Sequence, residues 1–411
     1  MRDALEEGAL DRARDLAHGI PAPWRAHPLV CAGLGELAMY QSDLDTAGRE
    51  LTMAVQAAPG LSAAWHDLGA LALWRQDYER SIDCLRRAVE LAPDARHSST
   101  ALAHSLFAAG RYDEGWKWLE YRVGGQAQRP RPRGLWDGSR VPHATLAVMP
   151  EEGFGDVIQF CRYIEQIRDR VARVFLVLES SRQSLAPLLA SARGVDLIVT
   201  DRKRGPPIHA YCPLMTIAHF AHASTEHPGS VPYLAPPKER LEHWQRGLGE
   251  KYRPRVGLVW AGSPMSNPRS SAIDARRSID PALLAPLLSV PDVEWHSLQL
   301  GPGLEARHRL SLEFHIKDHS GAIRDFADTA ALIANLDLTI TVDTSVAHVA
   351  GAIGAPVFML NRFDSCWRWG PRGEETPWYP TMRIFRQRAF GDWSGAIEDA
   401  AAALVRWRRS P

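Results

Sequence analysis

The sequence predicts an α-helical repeat array followed by an α/β region with two lobes. Three observations lead to this prediction. The first third of the chain repeats itself every 34 residues, the remainder alternates strand-like apolar runs with helical segments, and a segment rich in Gly, Pro and Arg separates the two patterns. A fixed period of this length is typical of stacked helical repeats. Strands that alternate with helices are typical of a parallel sheet covered on both faces.

The composition limits the function classes. The chain has 411 residues, and its 48 basic residues balance 48 acidic ones, so a nucleic-acid partner is not indicated. The longest apolar runs are too short for a membrane span, and the N-terminus lacks the apolar stretch of a signal peptide. The five cysteines are scattered, with no Cys-x-x-Cys pair. This argues against structural zinc and fits a reducing compartment, so we expect a cytoplasmic protein.

The repeat pattern is that of the tetratricopeptide repeat (TPR). The middle copy, Leu61–Asp94, reads LSAAWHDLGALALWRQDYERSIDCLRRAVELAPD. Its Trp, Leu-Gly, Tyr, Ala and Pro positions fit the helix–turn–helix consensus of this repeat. Equivalent residues recur at a spacing of 34, among them Leu34, Leu68 and Leu102, and Gly35 and Gly69. We therefore predict a TPR domain over residues 1–122.

The start of the array is expected to be irregular. Residues 1–20 resemble the second helix of a preceding repeat, so the array begins in mid-repeat; a truncated start or an atypical capping repeat would each explain this. We expect the repeats to present a concave surface to a polypeptide. The alternative is a scaffold or dimerisation surface.

A linker is predicted over residues 123–144, followed by an N-terminal lobe over residues 145–240. The strands and helices expected in this lobe are Thr145–Met149, Val157–Arg168, Val174–Leu178, Ser184–Ala190, Asp196–Val199 and His209–Cys212.

A second connector is expected at residues 236–254, and the C-terminal lobe is predicted over residues 241–411. Its expected strands are Val256–Trp260, Val293–Leu298, Leu338–Val342 and Val357–Leu360, and its expected helices are Ala282–Leu288, Asp325–Asn335, Val346–Ile353 and a closing helix at Gly391–Arg408. Two similar lobes leave a cleft between them, where ligands usually bind.

The stretch Leu338–Pro356, LTITVDTSVAHVAGAIGAP, is the central candidate site. A short strand ends at the polar turn Asp343–Ser345, and a thin helix of small residues follows, with Gly354 expected just past its end. Such a unit aims free backbone N–H groups outward from the carboxyl edge of a parallel sheet, which suits a nucleotide phosphate. We favour a ligand-facing His348 over a core histidine. The alternative for the whole stretch is a capped crossover helix.

A second candidate is the loop Pro150–Phe160, PEEGFGDVIQF. Gly153 and Gly155 are expected to give it unusual backbone freedom. Asp156 lies at the start of the following helix, where the helix dipole favours the carboxylate. An ionised carboxylate at a cleft edge suits a general base for a hydroxyl nucleophile. The alternative is a helix-capping aspartate with no chemical role.

Two further stretches are candidates. After a predicted strand, a long polar loop delivers Arg276, Arg277 and Ser278, and paired arginines facing a cleft suit a diphosphate or carboxylate. The alternative is a solvated loop. The aromatic clusters at Trp367–Trp369 and Trp378–Pro380 either pack a sugar or base or cover the sheet.

Several nucleotide and hydrolase motifs are missing from the sequence. It contains no GKS/T P-loop, HExxH, GxSxG or GxGxxG motif, and the predicted lobes contain no Asp-x-Asp pair. We therefore expect no metal ion and no cofactor other than the substrate itself.

Taken together, the motifs resemble a known family. In order along the chain, after the repeats, come EEGFGDVIQFCRYI, VGLVWAGSP, RRSI, SLQ, DFADTAALIANLDLTITVDTSVAHVAGAIGAPVF and PWYPTMRIFRQ. They resemble the bacterial TPR-containing glycosyltransferases, within the heptosyltransferase-like GT-B superfamily that also includes distant O-GlcNAc transferase relatives. The resemblance covers about residues 27–388. It implies a GT-B fold of two Rossmann-like lobes, with the donor nucleotide held mainly by the C-terminal lobe.

The resemblance also implies residue roles. Asp156 matches the aspartate proposed as general base in the heptosyltransferase relatives, although the acidic EEGFGD entrance departs from the usual glycine-rich loop with a basic or polar lead. The residues expected to bind the nucleotide sugar are Gly153, Gly155, Gln159, Trp260, Ser263, Arg276, Arg277, Ser278, Gln299, Asp325, Phe326, Asp343, Thr344, Ser345 and His348.

The sequence thus predicts a metal-independent GT-B glycosyltransferase that moves a sugar from a nucleotide-activated donor to a Ser or Thr hydroxyl of a protein held by the repeats. Some bacterial members with this layout modify flagellin with nonulosonic acids, which here would imply a CMP-activated donor. The alternatives are a transferase acting on a lipid or polysaccharide, and a TPR adaptor without catalytic activity.

Overall fold

The first part of the chain is a row of paired helices. The computed structural model describes residues 1–124, 133–201, 205–262, 275–301, 310 and 313–408, without the side chains of residues 2 and 6. The helices of this part are α1 (Arg2–Glu6), α2 (Leu10–His18), α3 (Pro28–Tyr40), α4 (Leu44–Ala57), α5 (Ser62–Trp74), α6 (Tyr78–Leu91), α7 (Arg96–Ala108), α8 (Tyr112–Leu119) and α9 (Tyr121–Gly124), with a 3-10 turn at Ala22–Trp24.

The turns inside the helix pairs repeat with the period of the sequence. Ser42, Gln76 and Gly110 lie 34 residues apart, and all three adopt the left-handed backbone conformation, with φ of 62°, 61° and 77°. An aspartate directly follows each of the first two turns: Asp43 follows Ser42, and Asp77 follows Gln76. Each aspartate caps the next helix by accepting a backbone N–H. The predicted TPR array is therefore confirmed in its local geometry.

The recurring glycines are required by close helix packing. A Cβ added to Gly35 would lie 2.6 Å from Cγ of Leu51, and a Cβ added to Gly69 would lie 2.6 Å from Cγ of Leu85. Any side chain at these positions would push the paired helices apart.

The start of the array differs from the prediction of one helix over residues 1–20. Two helices, α1 and α2, are separated at Glu7–Ala9 because Gly8 adopts φ of 73°, which ends α1.

The next part forms a four-stranded parallel sheet in the order β3-β2-β1-β4. Its elements are β1 (Val141–Met149), α10 (Phe154–Phe160), β2 (Val171–Val177), α11 (Ala186–Leu189), β3 (Leu197–Val199), β4 (Ala210–Pro213) and α12 (Leu214–Phe220), with 3-10 helices at Cys161–Arg170 and Ser180–Leu185. The first strand begins four residues before the predicted Thr145, because Val141 pairs with Val171 across an irregularity in the register.

A six-stranded parallel sheet follows, in the order β10-β9-β8-β5-β6-β7. Its elements are α13 (Lys238–Leu248), β5 (Arg255–Val259), α14 (Ala285–Leu288), β6 (Glu294–Ser297), β7 (Lys317–Asp318), α15 (Phe326–Ala334), β8 (Leu338–Val342), α16 (Ser345–Ala352), β9 (Val357–Asn361), β10 (Met382–Arg386) and α17 (Ser394–Trp407), with 3-10 helices at Pro281–Leu284 and Trp367–Trp369. The predicted pair of Rossmann-like lobes is confirmed, although β7 and β10 were missed.

The predicted connector at residues 236–254 is wrong in part, because most of it is the helix α13. Asp328 of α15 holds this helix: its carboxylate accepts from Nη1 of Arg240 at 2.9 Å and from Nε1 of Trp244 at 3.3 Å. Asp328 is fully buried. A buried carboxylate is tolerated only when it is paired in this way, and a distant partner of this kind leaves no local sequence pattern.

The described residues fall into two compact units. The first comprises the repeats together with residues 275–276 and 364–371, and the second comprises both parallel sheets with their helices. The domain boundaries drawn from the sequence at residues 122, 144 and 240 stay predictions. Within the described ranges, no helix is both long enough and apolar enough to span a membrane.

The buried His296 of β6 lies beside the half-buried His319, which directly follows β7. Nδ1 of His296 is 2.8 Å from Nε2 of His319, and Nε2 of His296 is 2.9 Å from the carboxylate of Glu294, which also accepts from Lys317. Burial, followed by the neighbouring His319, lowers the pKa of His296 to about 4. Burial also lowers the pKa of His319.

We predict that this pair makes the protein less stable as the pH falls from 6.5 towards 4. The unfolded chain takes up a proton on His296 near pH 6.5, whereas the folded chain does so only near pH 4. The unfolded state therefore binds more protons in this window, which lowers the free energy of unfolding by up to about 3 kcal/mol. Urea unfolding at several pH values should show a shallower decline for His296→Gln. The matched control is His143→Gln at an exposed position, and an unchanged slope in His296→Gln would contradict the assignment.

Candidate functional site

A buried glutamine binds the main chain directly after β5. Oε1 of Gln299 accepts from the backbone N–H groups of Trp260 and Ala261 at 3.1 and 3.0 Å, and its Nε2 donates to the carbonyls of Ala261 and Leu300 at 3.1 and 2.9 Å. All of these bonds are made to the main chain, and Gln299 is 1% exposed. In the structure Gln299 therefore fixes the backbone after β5, and the nucleotide-sugar binding that the family resemblance implies for it stays a prediction.

Trp260, which the family resemblance assigns to nucleotide-sugar binding, is buried in the structure. Its side chain is 1% exposed and packs in the core of the six-stranded sheet with Leu284 and Trp295. The apolar surface of the indole is better buried than exposed at a polar site. Ser263, predicted to lie in the same loop, falls outside the described residues.

The two predicted arginines have different partners. Nη1 of Arg277 donates to the carbonyl of Asp343 at 3.2 Å. Arg276 instead donates to Asp364 at 3.0 Å, and its guanidinium lies 3.9 Å from the ring centroid of Trp74. The two consecutive side chains therefore bind partners in different parts of the chain, and their shared role in nucleotide-sugar binding stays a prediction. Arg277 alone lies at the Asp343–Ser345 turn.

Two small residues, Gly262 and Ser278, lie beside Arg277. A Cβ at Gly262 would lie 2.4 Å from Nε of Arg277, so a side chain there would displace the guanidinium. The hydroxyl of Ser278 accepts from the backbone N–H of Gly262 at 3.2 Å. This bond ties the two ends of the loop after β5 together beside Arg277.

The Asp343–Ser345 turn has the predicted form. Thr344 caps α16 by accepting the N–H of Val346 at 3.3 Å, and Asp343 and Ser345 are half-buried beside it. Gly354 follows the helix with φ of 76°, as predicted. The start of α16 therefore presents its first N–H groups and a positive dipole end at the carboxyl edge of β8.

His348 lies in the packing between helices. It is 6% exposed, and its Nδ1 is 2.9 Å from the hydroxyl of Tyr379. A Cβ at Gly155 would lie 2.6 Å from Cδ2 of His348, so α10 and α16 approach each other at this point. The structure thus favours the core histidine that the sequence left as an alternative.

The loop after β1 departs from the prediction of glycine-driven flexibility. Glu152 has the left-handed φ of 53°, whereas Gly153 caps α10 in extended conformation and Gly155 lies within the helix. The glycine at 155 is needed for contact with α16. Asp156 is half-buried in the first turn, and its Oδ2 accepts from the N–H of Gly153 at 2.9 Å. Gln159 is fully buried behind it.

A third helix start joins this region. Asp325 caps α15 by accepting from the N–H groups of Ala327 and Asp328. The ring of Phe326 in the first turn of α15 lies 5.0 Å, centroid to centroid, from that of Phe154 in the first turn of α10. The predicted residues at 154–156, 325–326 and 343–348 are therefore brought together at helix starts of both lobes.

Beneath these helix starts lies a buried cation that the sequence reasoning missed. Arg162 is 6% exposed and donates to the carbonyls of Pro228 and Trp378 and to the hydroxyl of Tyr233. Its guanidinium also faces the rings of Tyr233 and Tyr379 at 4.1 and 4.9 Å. Burial raises the pKa of Tyr233 well above its ordinary value, so the phenol stays neutral. An arginine inside the apolar run IQFCRYI was the available signal.

The predicted aromatic clusters cover the protein interior. Trp378 and Tyr379 are fully buried, and Trp367 packs on Phe107 at 4.7 Å between ring centroids. The structure thus favours the alternative in which these rings cover the fold. Within the described ranges, no group of three or more His, Cys, Asp or Glu side chains is arranged to hold a metal ion. Metal independence stays a prediction.

The family comparisons agree with this architecture. Residues 62–95 match the tetratricopeptide repeat model, and residues 323–387 match the model of glycosyltransferase family 9 (heptosyltransferase). The matched glycosyltransferase segment contains the Asp343–Ser345 turn, α16 and Tyr379.

Three individual proteins that resemble the chain share between 12% and 28% sequence identity with it. Protein FlbA of Caulobacter vibrioides is 28% identical over 376 residues, which cover 84% of this chain and 62% of FlbA. A family 9 glycosyl transferase structure from Veillonella parvula DSM 2008 has a TM-score of 0.48 at 12% identity, covering 66% of this chain and 97% of that one. A mutant O-GlcNAc transferase from Thermobaculum terrenum has a TM-score of 0.32 at 14% identity, covering 95% and 91%.

We predict that Gln299→Leu lowers the free energy of unfolding by about 2 kcal/mol. The substitution keeps the buried volume but leaves the N–H groups of Trp260 and Ala261 without their acceptor. Urea unfolding measures the loss. The control is Gln245→Leu on the exposed face of α13, which should change stability by less than about 0.5 kcal/mol. Equal effects of the two substitutions would contradict the structural role of Gln299.

Proposed function

We propose that the chain is a glycosyltransferase that moves a sugar from a nucleotide-activated donor to a Ser or Thr hydroxyl of a protein. The observation that carries the proposal is the Asp343–Ser345 turn. It lies inside the segment that matches glycosyltransferase family 9, it begins α16, and Arg277 binds its main chain.

The donor phosphates would lie at this turn. The start of α16 carries a partial positive charge, and Arg277 adds a full one. When the bond between sugar and nucleotide breaks, negative charge develops on the leaving phosphate. Fixed positive groups at that place stabilise the charge without reorganising. These groups come from the protein itself, so the proposal includes transfer without a metal ion.

Asp156 would take the proton from the acceptor hydroxyl. Its carboxylate lies in the first turn of α10, next to Gly155, which packs on α16. The helix that carries this carboxylate therefore contacts the helix that would hold the donor. A general base within reach of the attacking hydroxyl contributes a factor of about 10² to 10⁴ to the rate.

The acceptor would be held by the repeats, since TPR arrays present surfaces to polypeptides. We propose flagellin as the acceptor and a CMP-activated nonulosonic acid as the donor, on the family resemblance described above. The match to FlbA covers 62% of that protein, so both substrates are proposals for this chain.

The nucleotide is tested by thermal shift of the whole protein with CMP, UDP, GDP and ADP, each in the presence of EDTA. A ligand that binds only the folded state raises the melting temperature. We expect a shift with CMP. A shift with another nucleotide instead would replace the proposed sugar while keeping the transferase. No shift with any of them at about 10 mM, well above a millimolar dissociation constant, would favour a TPR adaptor.

The base is tested by Asp156→Asn, which we expect to reduce transfer to flagellin at least about 100-fold. The amide oxygen can still accept the N–H of Gly153, so the loop and the nucleotide affinity should be retained. Mass spectrometry of the acceptor measures transfer, and thermal shift measures nucleotide binding. The control is Glu152→Gln, an exposed acid in the same loop. Wild-type transfer by Asp156→Asn would remove this residue from the mechanism.

A further inference from the structure

The loop between β1 and α10 is bound by a residue that follows the neighbouring strand. β1 and β2 run parallel, with Val148 beside Leu176, so the segments after their carboxyl ends lie at the same edge of the sheet. Arg182 belongs to the 3-10 helix after β2. Its Nη2 donates to the carbonyl oxygen of Glu152, in the loop after β1, at 2.6 Å. This bond joins the two segments.

The proposed base binds the same peptide unit from the other side. The carbonyl of Glu152 and the N–H of Gly153 belong to one peptide bond, and Oδ2 of Asp156 accepts from that N–H at 2.9 Å. The bond is trans, so the unit is planar and its C=O and N–H point in opposite directions. A contact that fixes the direction of the carbonyl therefore also fixes the direction of the N–H.

The conformation of Glu152 requires support of this kind. Its φ of 53° lies in the left-handed region, which is unfavourable for a residue with a side chain and persists where surrounding contacts impose it. Another contact of this loop is the bond from the N–H of Met215 to the carboxylate of Glu151 at 3.3 Å. Arg182 acts on the left-handed residue itself, because its acceptor is the carbonyl of Glu152.

The guanidinium of Arg182 is held on its own side as well. The side chain is 21% exposed, and its Nη1 lies 3.6 Å from the carboxylate of Glu179, three residues earlier. The backbone N–H of Arg182 donates to the carbonyl of Glu179 at 2.8 Å. Hydrogen bonds from a charged donor are shorter and stronger than neutral ones, and the short bond to Glu152 fits this class.

We propose that Arg182 is a positioning residue for the carboxylate of Asp156. It fixes the peptide between Glu152 and Gly153, whose N–H then holds the carboxylate in the first turn of α10. The catalytic part of this inference rests on the proposed function, in which Asp156 takes the proton from the acceptor hydroxyl. A base held in one direction is ready for that proton, whereas a base on a loosened loop also samples orientations that do not react.

The first test needs neither donor nor acceptor. Amide hydrogen exchange of Gly153 is compared in the whole protein, in the wild type, Arg182→Met and Arg182→Lys. We expect exchange about tenfold faster in Arg182→Met, which keeps an unbranched side chain but has no donor. We expect Arg182→Lys to restore most of the protection, because its ammonium group can still donate to the carbonyl of Glu152. Unchanged exchange in Arg182→Met would overturn the proposal.

The matched control is Arg168→Met. Arg168 lies in the same lobe and also donates to a backbone carbonyl, that of Val171 at 2.9 Å, and to a carboxylate, that of Asp196 at 3.0 Å. Val171 is at the opposite end of β2 from the segment that contains Arg182. A general loosening of the lobe would affect both variants, so equally fast exchange of Gly153 in Arg168→Met would overturn the specific role of Arg182. If Arg182→Met lowers the yield of folded protein, the shorter but polar Arg182→Gln replaces it and is expected to give the same change.

The second test is a double-mutant cycle on sugar transfer from a CMP-activated nonulosonic acid to flagellin, measured by mass spectrometry. We expect Arg182→Met to lower kcat about tenfold with an unchanged KM for the acceptor. Because Arg182 acts through Asp156, adding Arg182→Met to Asp156→Asn should have no additional effect. Independent, multiplying effects would overturn the proposal. A raised acceptor KM with an unchanged kcat would also overturn it, since Arg182 would then bind substrate.

The two tests fail separately. If the wild type transfers no sugar, or if Asp156→Asn transfers it at the wild-type rate, the proposed function fails. The exchange experiment still decides whether Arg182 holds the peptide between Glu152 and Gly153.

Discussion

The buried guanidinium of Arg162 is the interaction on which the arrangement of the two sheets depends. Removing a cation from water is costly unless its donors are satisfied. Here the acceptors are the carbonyls of Pro228 and Trp378 and the hydroxyl of Tyr233, and the rings of Tyr233 and Tyr379 cover its faces. These partners come from the segment that joins the lobes and from the C-terminal lobe, while Arg162 itself comes from the N-terminal lobe. Satisfying one charge therefore requires all three parts to be in register.

This register extends to the candidate site through Tyr379. Its hydroxyl lies 3.4 Å from that of Tyr233 and 2.9 Å from Nδ1 of His348. With Arg162 donating to Tyr233, each hydroxyl can donate to the next group, which leaves Nδ1 of His348 as the acceptor. His348 in turn packs on Gly155, one residue before Asp156. One hydrogen-bonded chain thus runs from Arg162 through the two tyrosines to His348 in the helix that would hold the donor. By packing on Gly155, the same histidine also supports the helix that carries the proposed base.

The polar residues around the loop after β5 are likewise divided between those that support the main chain and those available to a ligand. Gln299 and Ser278 satisfy backbone groups of Trp260 and Gly262, directly after β5, whereas Arg277 is a cationic group at the Asp343–Ser345 turn. Glutamine, serine and arginine near the ends of parallel strands all look like ligand-binding residues, since each has several hydrogen-bonding groups. Whether those groups serve a ligand or the backbone depends on which strand ends lie beside them.

The sequence by itself determined the repeat period, the alternation of strands and helices, and the Asp343–Ser345 turn, because each is a local pattern of apolar spacing, small residues and caps. Gly354 after α16 belongs to the same class. The tertiary structure decided which polar residues face a site. It separated Arg276 from Arg277, gave Gln299 to the backbone and buried His348, and it revealed Arg162 and Asp328 as buried charges. The physical reason is that a polar side chain must be satisfied by whatever long-range neighbour the fold supplies, and one sequence without its contacts does not record that neighbour.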